Sequence, residues 1–453
     1  MRKTKKFAAI LLSALILSSS FSALPVSAAT VGNDTAVVSS DESLISGDYE
    51  YSVLADGTVE ITQYLGSDTN VIVPENIAGR TVSKITYAFS ECSFIKNIVI
   101  PNGVTEIGSY TFRECTSLHS IKIPDSVKII GYYTFENCVS LSEITLPKQL
   151  KEIGTAVFKN CSSLKKVVIP DTVTTIREGA FEECTNLSDI IIPDTVNVIE
   201  SAAFWNTKWL NNKPDGLIII NDILYSYKGE MPQNTNINVP ANINYISSQS
   251  FSGYENLQSV NISDNVTEIG KYAFLNCSSL KSVKLSNSIR KISQGAFMGC
   301  SSLTNISIPD NVNTIEASAF LACTSLKSIT IPASVTEIKR QPLGYDYLDA
   351  KIEDFKIYGY KNTAAETYAK ENGFEFISLG EQILTGDANL DGTVNIKDVT
   401  YLQMHIAGNK NTDGSPLIYE TNKQLFDSID MNNDGKLTVN DVTALQTYLA
   451  QNN

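Results

Sequence analysis

Two twelve-residue stretches near the C-terminus carry the side chains best suited to chemistry. The first runs from Asp387 to Asp398 (DANLDGTVNIKD) and the second from Asp430 to Asp441 (DMNNDGKLTVND). Calcium takes six to eight oxygen ligands, and a loop of this length delivers them from positions 1, 3, 5, 7, 9 and 12. Positions 1, 3 and 5 are Asp387, Asn389 and Asp391 in the first loop, and Asp430, Asn432 and Asp434 in the second. Position 7 offers a backbone carbonyl, from Thr393 or Lys436, and position 9 is Asn395 or Thr438, acting through water. Position 12 is Asp398 or Asp441, and Gly392 and Gly435 stand at position 6, where the chain must turn sharply. One such stretch arises by chance. Two with matching glycines point to a pair of calcium ions as cofactor.

The elements that must hold these loops follow from the flanking residues. Each loop leads into an apolar-periodic stretch, 399–407 and 442–450, expected as helices. No clear amphipathic helix precedes the first loop, and residues 409–425 form a long spacer between the halves. With Asp rather than the Glu of an EF-hand at position 12, residues 385–453 resemble the type I dockerin, a duplicated calcium module. That resemblance implies a small all-α calcium-binding domain, placed at 386–453, that binds a cohesin domain on the scaffolding protein of a cellulosome. It places the cohesin contacts at loop positions 10 and 11 and on the following helix. Here these are Ile396, Lys397, Gln403 and Met404 in one half, and Val439, Asn440, Gln446 and Thr447 in the other. The two sets differ, so the halves are not expected to bind one cohesin equally. In a module this small, calcium binding is coupled to folding.

Most of the chain ahead of these loops repeats every 23 residues. The unit is Leu118 to Ser140, LHSIKIPDSVKIIGYYTFENCVS. Cys92, Cys115, Cys138, Cys161 and Cys184 keep the interval of 23, and the register resumes at Cys277, Cys300 and Cys323. A fixed period of this size means a solenoid whose coils share a continuous core. Within the unit, Leu118, Ile121, Ile123, Val127, Ile130 and Phe135 are expected to point inward. The alternating stretch 120–123 reads as a strand, ended by Pro124, which cannot donate into a ladder, with the turn at Asp125-Ser126. The anchors Phe89, Phe112, Phe135, Phe158, Phe181 and Phe204, then Phe251, Phe274, Phe297 and Phe320, recur with the Cys. Eight Cys in a secreted chain suggest disulfides. Their identical place in each coil instead stacks them in one column, which favours buried free thiols, with pairing of adjacent coils as the alternative.

The stretches IPDSVKIIG (123–131), IPDTVTTIREGAFEEC (169–184) and IPDNVNTIEASAFLAC (308–323) carry a second resemblance, to the BspA-like, bacterial-surface type of leucine-rich repeat. It covers roughly 48–380. It implies a β-rich leucine-rich-repeat solenoid, right-handed, with a parallel sheet along one face and capping elements, used for binding or adhesion and without a shared catalytic site.

The remaining segments fall into place around the repeats. Residues 1–29 have a basic start (Arg2, Lys3, Lys5, Lys6), an apolar run from Phe7 to Leu17 and small residues before Ala29, and read as a signal peptide. Removing its four basic residues takes the net charge from −14 to −18. That balance argues against nucleic acid and anionic membranes, and suits calcium loops. No other stretch approaches a membrane span. Residues 30–47 read as a flexible leader and 48–86 as an N-terminal cap built on a hairpin, Tyr49–Val53 and Thr58–Ile61 about Ala55-Asp56-Gly57. The solenoid proper is expected over 87–340, with modified coils and an inserted hairpin at about 205–250 that hold both Trp, Trp205 and Trp209. An aromatic sugar platform and simple space-filling compete there, and space-filling is preferred. A C-terminal cap is expected at 341–380, with a strand at 355–360, a helix at 364–371 and a strand at 374–377, followed by a linker at 381–385.

Nothing points to catalysis. His119 and His405 are the only histidines, and no zinc, nucleophile-elbow or phosphate-loop motif is present. Glu182-Glu183 reads as solvated surface rather than a glycosidase pair. The expected function is a secreted, non-catalytic, extracellular interaction protein, at the cell surface or in a cellulosome. Its solenoid takes an unknown protein or polysaccharide, and its dockerin docks on a cohesin. The rivals are a component acting in plant polysaccharide catabolism, inferred from the company dockerins keep, and an adhesin or inhibitor of another protein. The outward rows are Val99, Lys122, Thr145, Val168, Ile191, Asn261, Lys284, Ser307 and Thr330, and Asn97, Ser120, Glu143, Lys166, Asp189, Ser259, Ser282, Asn305 and Ser328. They are mostly small and polar, with Val168 and Ile191 as a modest apolar spot.

Overall fold

A computed structural model describes residues 44–380 and 384–452. The signal peptide, most of the leader and residues 381–383 of the linker lie outside the described residues. The chain divides into two compact units: one comprises the residues up to Lys327 together with Glu337–Glu353, the other Ser328–Thr336 together with the residues from Asp354 onward.

In the first unit, one coil shows how the sequence sets the fold. Ser120–Lys122 is a strand with Ile121 buried and Lys122 exposed, and Pro124 follows it. It pairs in parallel with Asn97–Val99 of the coil before. Leu118, Ile121, Ile123, Val127, Ile130 and Phe135 are all buried, as the periodicity requires. Each contributes about 1.5–3 kcal/mol when fully removed from water. The chain then makes a second short strand, Ile129–Ile130, parallel to Glu106–Ile107. The expected single sheet is therefore corrected to two parallel ladders, both present in most coils, because the coil turns at Pro124 and extends again. Gly131 sits where the coils touch: a Cβ there would lie 2.4 Å from the Ser109 nitrogen.

The third side of the coil is a turn with two left-handed residues, Tyr133 (φ 58°) and Asn137 (φ 61°), flanking Phe135. It extends no strand, yet its backbone bonds coil to coil: Tyr133 N–H to Thr155, Phe135 to Val157 and Asn137 to Lys159, at 2.8–3.0 Å. This repeat stacks the phenylalanines. Successive rings from Phe89 to Phe204 lie 5.3–5.7 Å apart in near-parallel planes, and Phe251 to Phe320 form a second stack. All eight cysteines carry free thiols, seven of them buried. Cys138 Sγ donates to the Phe112 carbonyl at 3.1 Å, and the same bond recurs in the neighbouring coils.

The ladders are not continuous. Ile129–Ile130 pairs backward with Glu106–Ile107 and Glu152–Ile153 pairs forward with Thr175–Ile176, in separate sheets. Glu268–Ile269 and Lys291–Ile292 part in the same way. The second ladder alone parts at the later break, since Ser282–Lys284 stays paired with Leu257–Asn261 on the first.

At the N-terminus the expected hairpin is present, with Tyr49–Val53 antiparallel to Val59–Tyr64. The flexible-leader expectation is corrected at its end, since Leu44–Ser46 adds a further antiparallel strand. At the insertion, helix α1 (Lys208–Asn211) is capped by the Thr207 hydroxyl, which accepts from the Leu210 N–H at 3.1 Å. The hairpin Gly216–Ile220 and Ile223–Lys228 follows, and its second strand rejoins the parallel ladder at Tyr245–Ile246. Trp209 packs 5.0 Å from Phe204, and Tyr225 accepts from the Phe204 N–H at 3.0 Å, so these aromatics close the first phenylalanine stack. Space-filling is what the structure gives for Trp209.

In the second unit, Ser328–Thr330, Lys356–Gly359 and Glu375–Ser378 form a parallel sheet, with α2 (Ala364–Asn372) as the crossover, ended by Gly373 at φ 62°. Each boundary falls within a residue of expectation. The C-terminal segment is helical: α3 (Ile396–Ile406), α4 (Lys423–Ile429) and α5 (Val439–Asn452) enclose Val399, Leu402, Ile418, Leu425, Ile429, Val442 and Leu445. Two corrections follow. α3 and α5 begin three residues earlier than expected, because loop position 9 caps each helix. The end of the spacer also opens a helix, α4, whose apolar Leu425 and Ile429 lie one turn apart and face the core.

Candidate calcium loops and repeat surface

The two loops have the same internal wiring. Asp387 Oδ1 and Oδ2 accept the N–H groups of Asp391 and Gly392, at 3.1 and 2.9 Å. Asp430 accepts those of Asp434 and Gly435, at 3.1 and 2.8 Å. Asp391 Oδ1 accepts the Thr393 N–H at 3.0 Å, and Asp434 Oδ1 accepts that of Lys436 at 2.9 Å. Asp398 accepts the Asn389 and Asn395 N–H groups, and Asp441 those of Asn432 and Thr438. Leu390 and Asn433 both stand at φ 56°, and Gly392 and Gly435 at φ 80° and 77°. Loop residues 1, 3, 5, 9 and 12 therefore turn their oxygens into each loop while the backbone N–H groups lock them.

The burial of these carboxylates tests whether the residues fit a cation. Asp387, Asp398 and Asp441 are fully buried and Asp430 nearly so. Among the described residues no Lys, Arg or His pairs with any of the four. Burial pushes the Asp387 carboxyl above its usual range, and the nearby Asp398 adds to this. Buried unpaired carboxylates are costly unless a cation joins them. Lys397 reaches only the rim, 4.0 Å from Asp391, whose carboxyl is held low by the Thr393 hydroxyl. Among the described residues no three His, Cys, Asp or Glu side chains converge as a preformed cage. The donor set is mixed: each loop supplies three carboxylates, and amide, hydroxyl and carbonyl oxygens complete it. That set fits calcium.

The positions expected to contact a partner are all exposed: Ile396, Lys397, Gln403 and Met404, and Val439, Asn440, Gln446 and Thr447. Ile396 and Val439 open α3 and α5 and are each 66% exposed, unusual for such side chains. The loop-to-helix cap puts them there. His405 pairs with Glu420 at 3.0 Å, and His119 Nδ1 lies 2.6 Å from the Ser117 carbonyl oxygen. Glu182 pairs with Lys159, and Glu183 accepts from Asn206. The structure brings none of these into a catalytic grouping.

On the repeats, the two outward rows lie on the first ladder, except Glu143, Thr145, Asn305 and Ser307, whose coils form no strand there. Asn97 bonds Asn70, Ser120 bonds Asn97, and Asn261 bonds Asn238, forming polar ladders from coil to coil. Val168 and Ile191 are direct cross-strand partners, about half exposed, beside the Lys166–Asp189 pair at 2.9 Å.

The family model of the BspA type leucine rich repeat region matches residues 84–211 and 223–346, in six copies. Among solved structures, the chain is similar to a leucine-rich cell surface protein from Faecalibacterium prausnitzii A2-165, at 27% identity over 74% of this chain and 98% of that one, with a TM-score of 0.40. A leucine-rich repeat protein from Bacteroides ovatus matches at 24% identity over 74% and 99%, with a TM-score of 0.32. The pneumococcal vaccine antigen PcpA matches at 20% identity over 74% and 98%, with a TM-score of 0.38. No curated protein matches.

Proposed function

Since this chain belongs to the BspA-type leucine-rich-repeat family, we propose that it is a secreted, non-catalytic binding protein of the cell surface, held on a scaffold by its C-terminal calcium module. The repeats offer long, mostly polar rows suited to an extended partner. Among the described residues no helix is long and apolar enough to cross a membrane.

The observation that carries the anchoring is the duplication of one loop, with the same backbone N–H to carboxylate bonds, around four buried aspartates. Calcium, when bound, supplies the positive charge these carboxylates lack and ties each loop to the helix after it. Asp387, Asn389, Asp391, Thr393, Asn395 and Asp398 would hold one ion, and Asp430, Asn432, Asp434, Lys436, Thr438 and Asp441 the other. Asp398 and Asp441, in the first turns of α3 and α5, accept the N–H groups of Asn395 and Thr438, so metal at the loops also fixes Ile396 and Val439 at the surface. The likeness to a type I dockerin makes a cohesin domain the partner of these residues.

The test is a pull-down of the full-length protein with a panel of immobilised cohesins, with calcium and with excess chelator. Binding that depends on calcium supports the proposal. Cohesin binding unchanged after exhaustive chelation, or no binding to any cohesin, rejects the anchoring.

A further inference from the structure

Beside the second ladder, a regular pair of backbone bonds ties each coil to the one before. Lys128 and Gly131 N–H groups donate to Thr105 and Ile107, at 2.9 and 2.8 Å. Two coils on, Thr174 and Arg177 donate to Lys151 and Ile153, both at 2.9 Å. Lys151 and Gly154 hold the same register in the coil between, and among the described residues no backbone carbonyl accepts from either N–H. Glycine contacts show the separation. A Cβ on Gly131 would lie 2.4 Å from the Ser109 nitrogen of the preceding coil, and one on Gly270 2.3 Å from that of Ser248. One on Gly154 would come no nearer its preceding coil than 3.3 Å, at the Ile130 carbonyl oxygen. An opening of about 550 Å³, bordered by Lys128 and Lys151, lies there. The first ladder parts as well: Glu143 to Thr145 forms no strand, and Ile144 is only partly buried where Ile121 and Val167 are buried. One backbone bond remains on that side, Ser142 N–H to His119 at 3.3 Å.

The third side of the same joint is shut. Phe135 N–H donates to Val157 at 2.8 Å and Asn137 N–H to Lys159 at 2.9 Å, beside the stacked rings of Phe135 and Phe158. Asp125 spans the open mouth. Its Oδ1 accepts the Lys148 N–H at 3.2 Å, and its carbonyl accepts from the Gln149 amide at 2.9 Å. Where the second ladder parts again, Asp264 holds the same place in its coil and accepts the Asn287 N–H at 2.9 Å. Asp171 also holds that place, in a coil paired to the next on both ladders, and among the described residues it accepts no such bond.

We propose that this joint is a hinge built into the solenoid. The coils before Leu141 swing about the Phe135–Phe158 side, the ladder edges part, and Asp125 is the latch that holds them shut. Each coil of a solenoid touches only its neighbours, so one weak interface lets the blocks on either side move separately. The hinge interrupts the outward rows between Lys122 and Val168, so its opening changes the distance between two stretches of the repeat surface. The inference concerns the repeats alone and is independent of the calcium loops.

The test is amide-resolved hydrogen exchange, read by nuclear magnetic resonance, on the full-length protein and on D125A, D125N and D171A. Asp125 is exposed, so its variants keep the wild-type circular dichroism. In the wild type, Lys151 and Gly154 amides exchange about tenfold faster than those of Thr174 and Arg177. In D125A the Ser142 amide, which bonds His119 rather than Asp125, exchanges about tenfold faster than in the wild type, while Phe135 and Asn137 are unchanged. D125N, whose carboxamide oxygen still accepts from Lys148, keeps the wild-type rate at Ser142. D171A leaves Ser188, the equivalent of Ser142 in its own joint, unchanged. Gly154 as slow as Arg177 in the wild type overturns the proposal. So does D125A if it leaves Ser142 unchanged or speeds Phe135 equally, and so does equal acceleration of Ser188 by D171A.

Discussion

Phe135 and Phe158 lie face to face, ring centroids 5.3 Å apart and planes within 3°. Each ring is fully buried, and each fills the space its neighbour's coil leaves open. Phe158→Ala is expected to cost about 3–5 kcal/mol, the usual range for a buried phenylalanine. Phe158→Leu should cost less. Urea unfolding followed by circular dichroism measures both, and a loss below about 1 kcal/mol for the alanine variant would show that the stack is not the core's main support.

The thiol column gives the repeats an alkaline limit. Burial pushes the Cys184 and Cys323 thiols up to about 12, from an ordinary 9.0. The folded state keeps these protons while the unfolded chain loses them, so stability is complete below about pH 9 and falls as pH rises toward about 12. The urea midpoint should decline steadily from pH 9 to 11, and less so in Cys184→Ala/Cys323→Ala. A flat profile over that window contradicts the assignment.

The same burial shields the thiols from reagents. In the native protein a thiol-specific dye should label Cys92, the one half-buried cysteine, ahead of the other seven, while the denatured, unreduced chain should titrate eight. Near-zero labelling after denaturation would mean that adjacent coils are disulfide-bonded.

Removing calcium should act on one part of the molecule. With excess chelator, α3 to α5 are expected to lose protection from hydrogen exchange while the strands around Ile121 and Ile176 keep theirs. D387N/D430N should reproduce this without chelator. Equal protection of α3 and α5 with and without metal would separate the loops from the folding of the module.

Ile396 and Val439 occupy equivalent, exposed positions but are followed by different residues, Lys397 against Asn440 and Met404 against Thr447. Ile396→Asp and Val439→Asp should therefore weaken cohesin binding by unequal factors, read by surface plasmon resonance. Equal losses would mean that both halves serve one partner alike.

Much of this was legible in the residues. The period of 23 placed Leu118, Val127 and Phe135 in the core because burial in a stacked coil follows position alone. The hairpin about Gly57 and the helix ended by Gly373 were legible for the same local reason. The helix Lys423–Ile429 was not, because seven residues carry too little periodicity to stand out from a spacer. The second strand of each coil was missed because two residues show no alternation.

The sequence by itself determined the repeat, the columns of Phe and Cys, and the oxygen donors of the two loops. Each depends only on spacing along the chain. Tertiary structure alone decided which coils pair. Lys128 and Lys151 border an opening only because the backbone of the Leu146 coil leaves its predecessor's ladder. That outcome depends on how neighbouring coils pack against one another, and spacing does not record it.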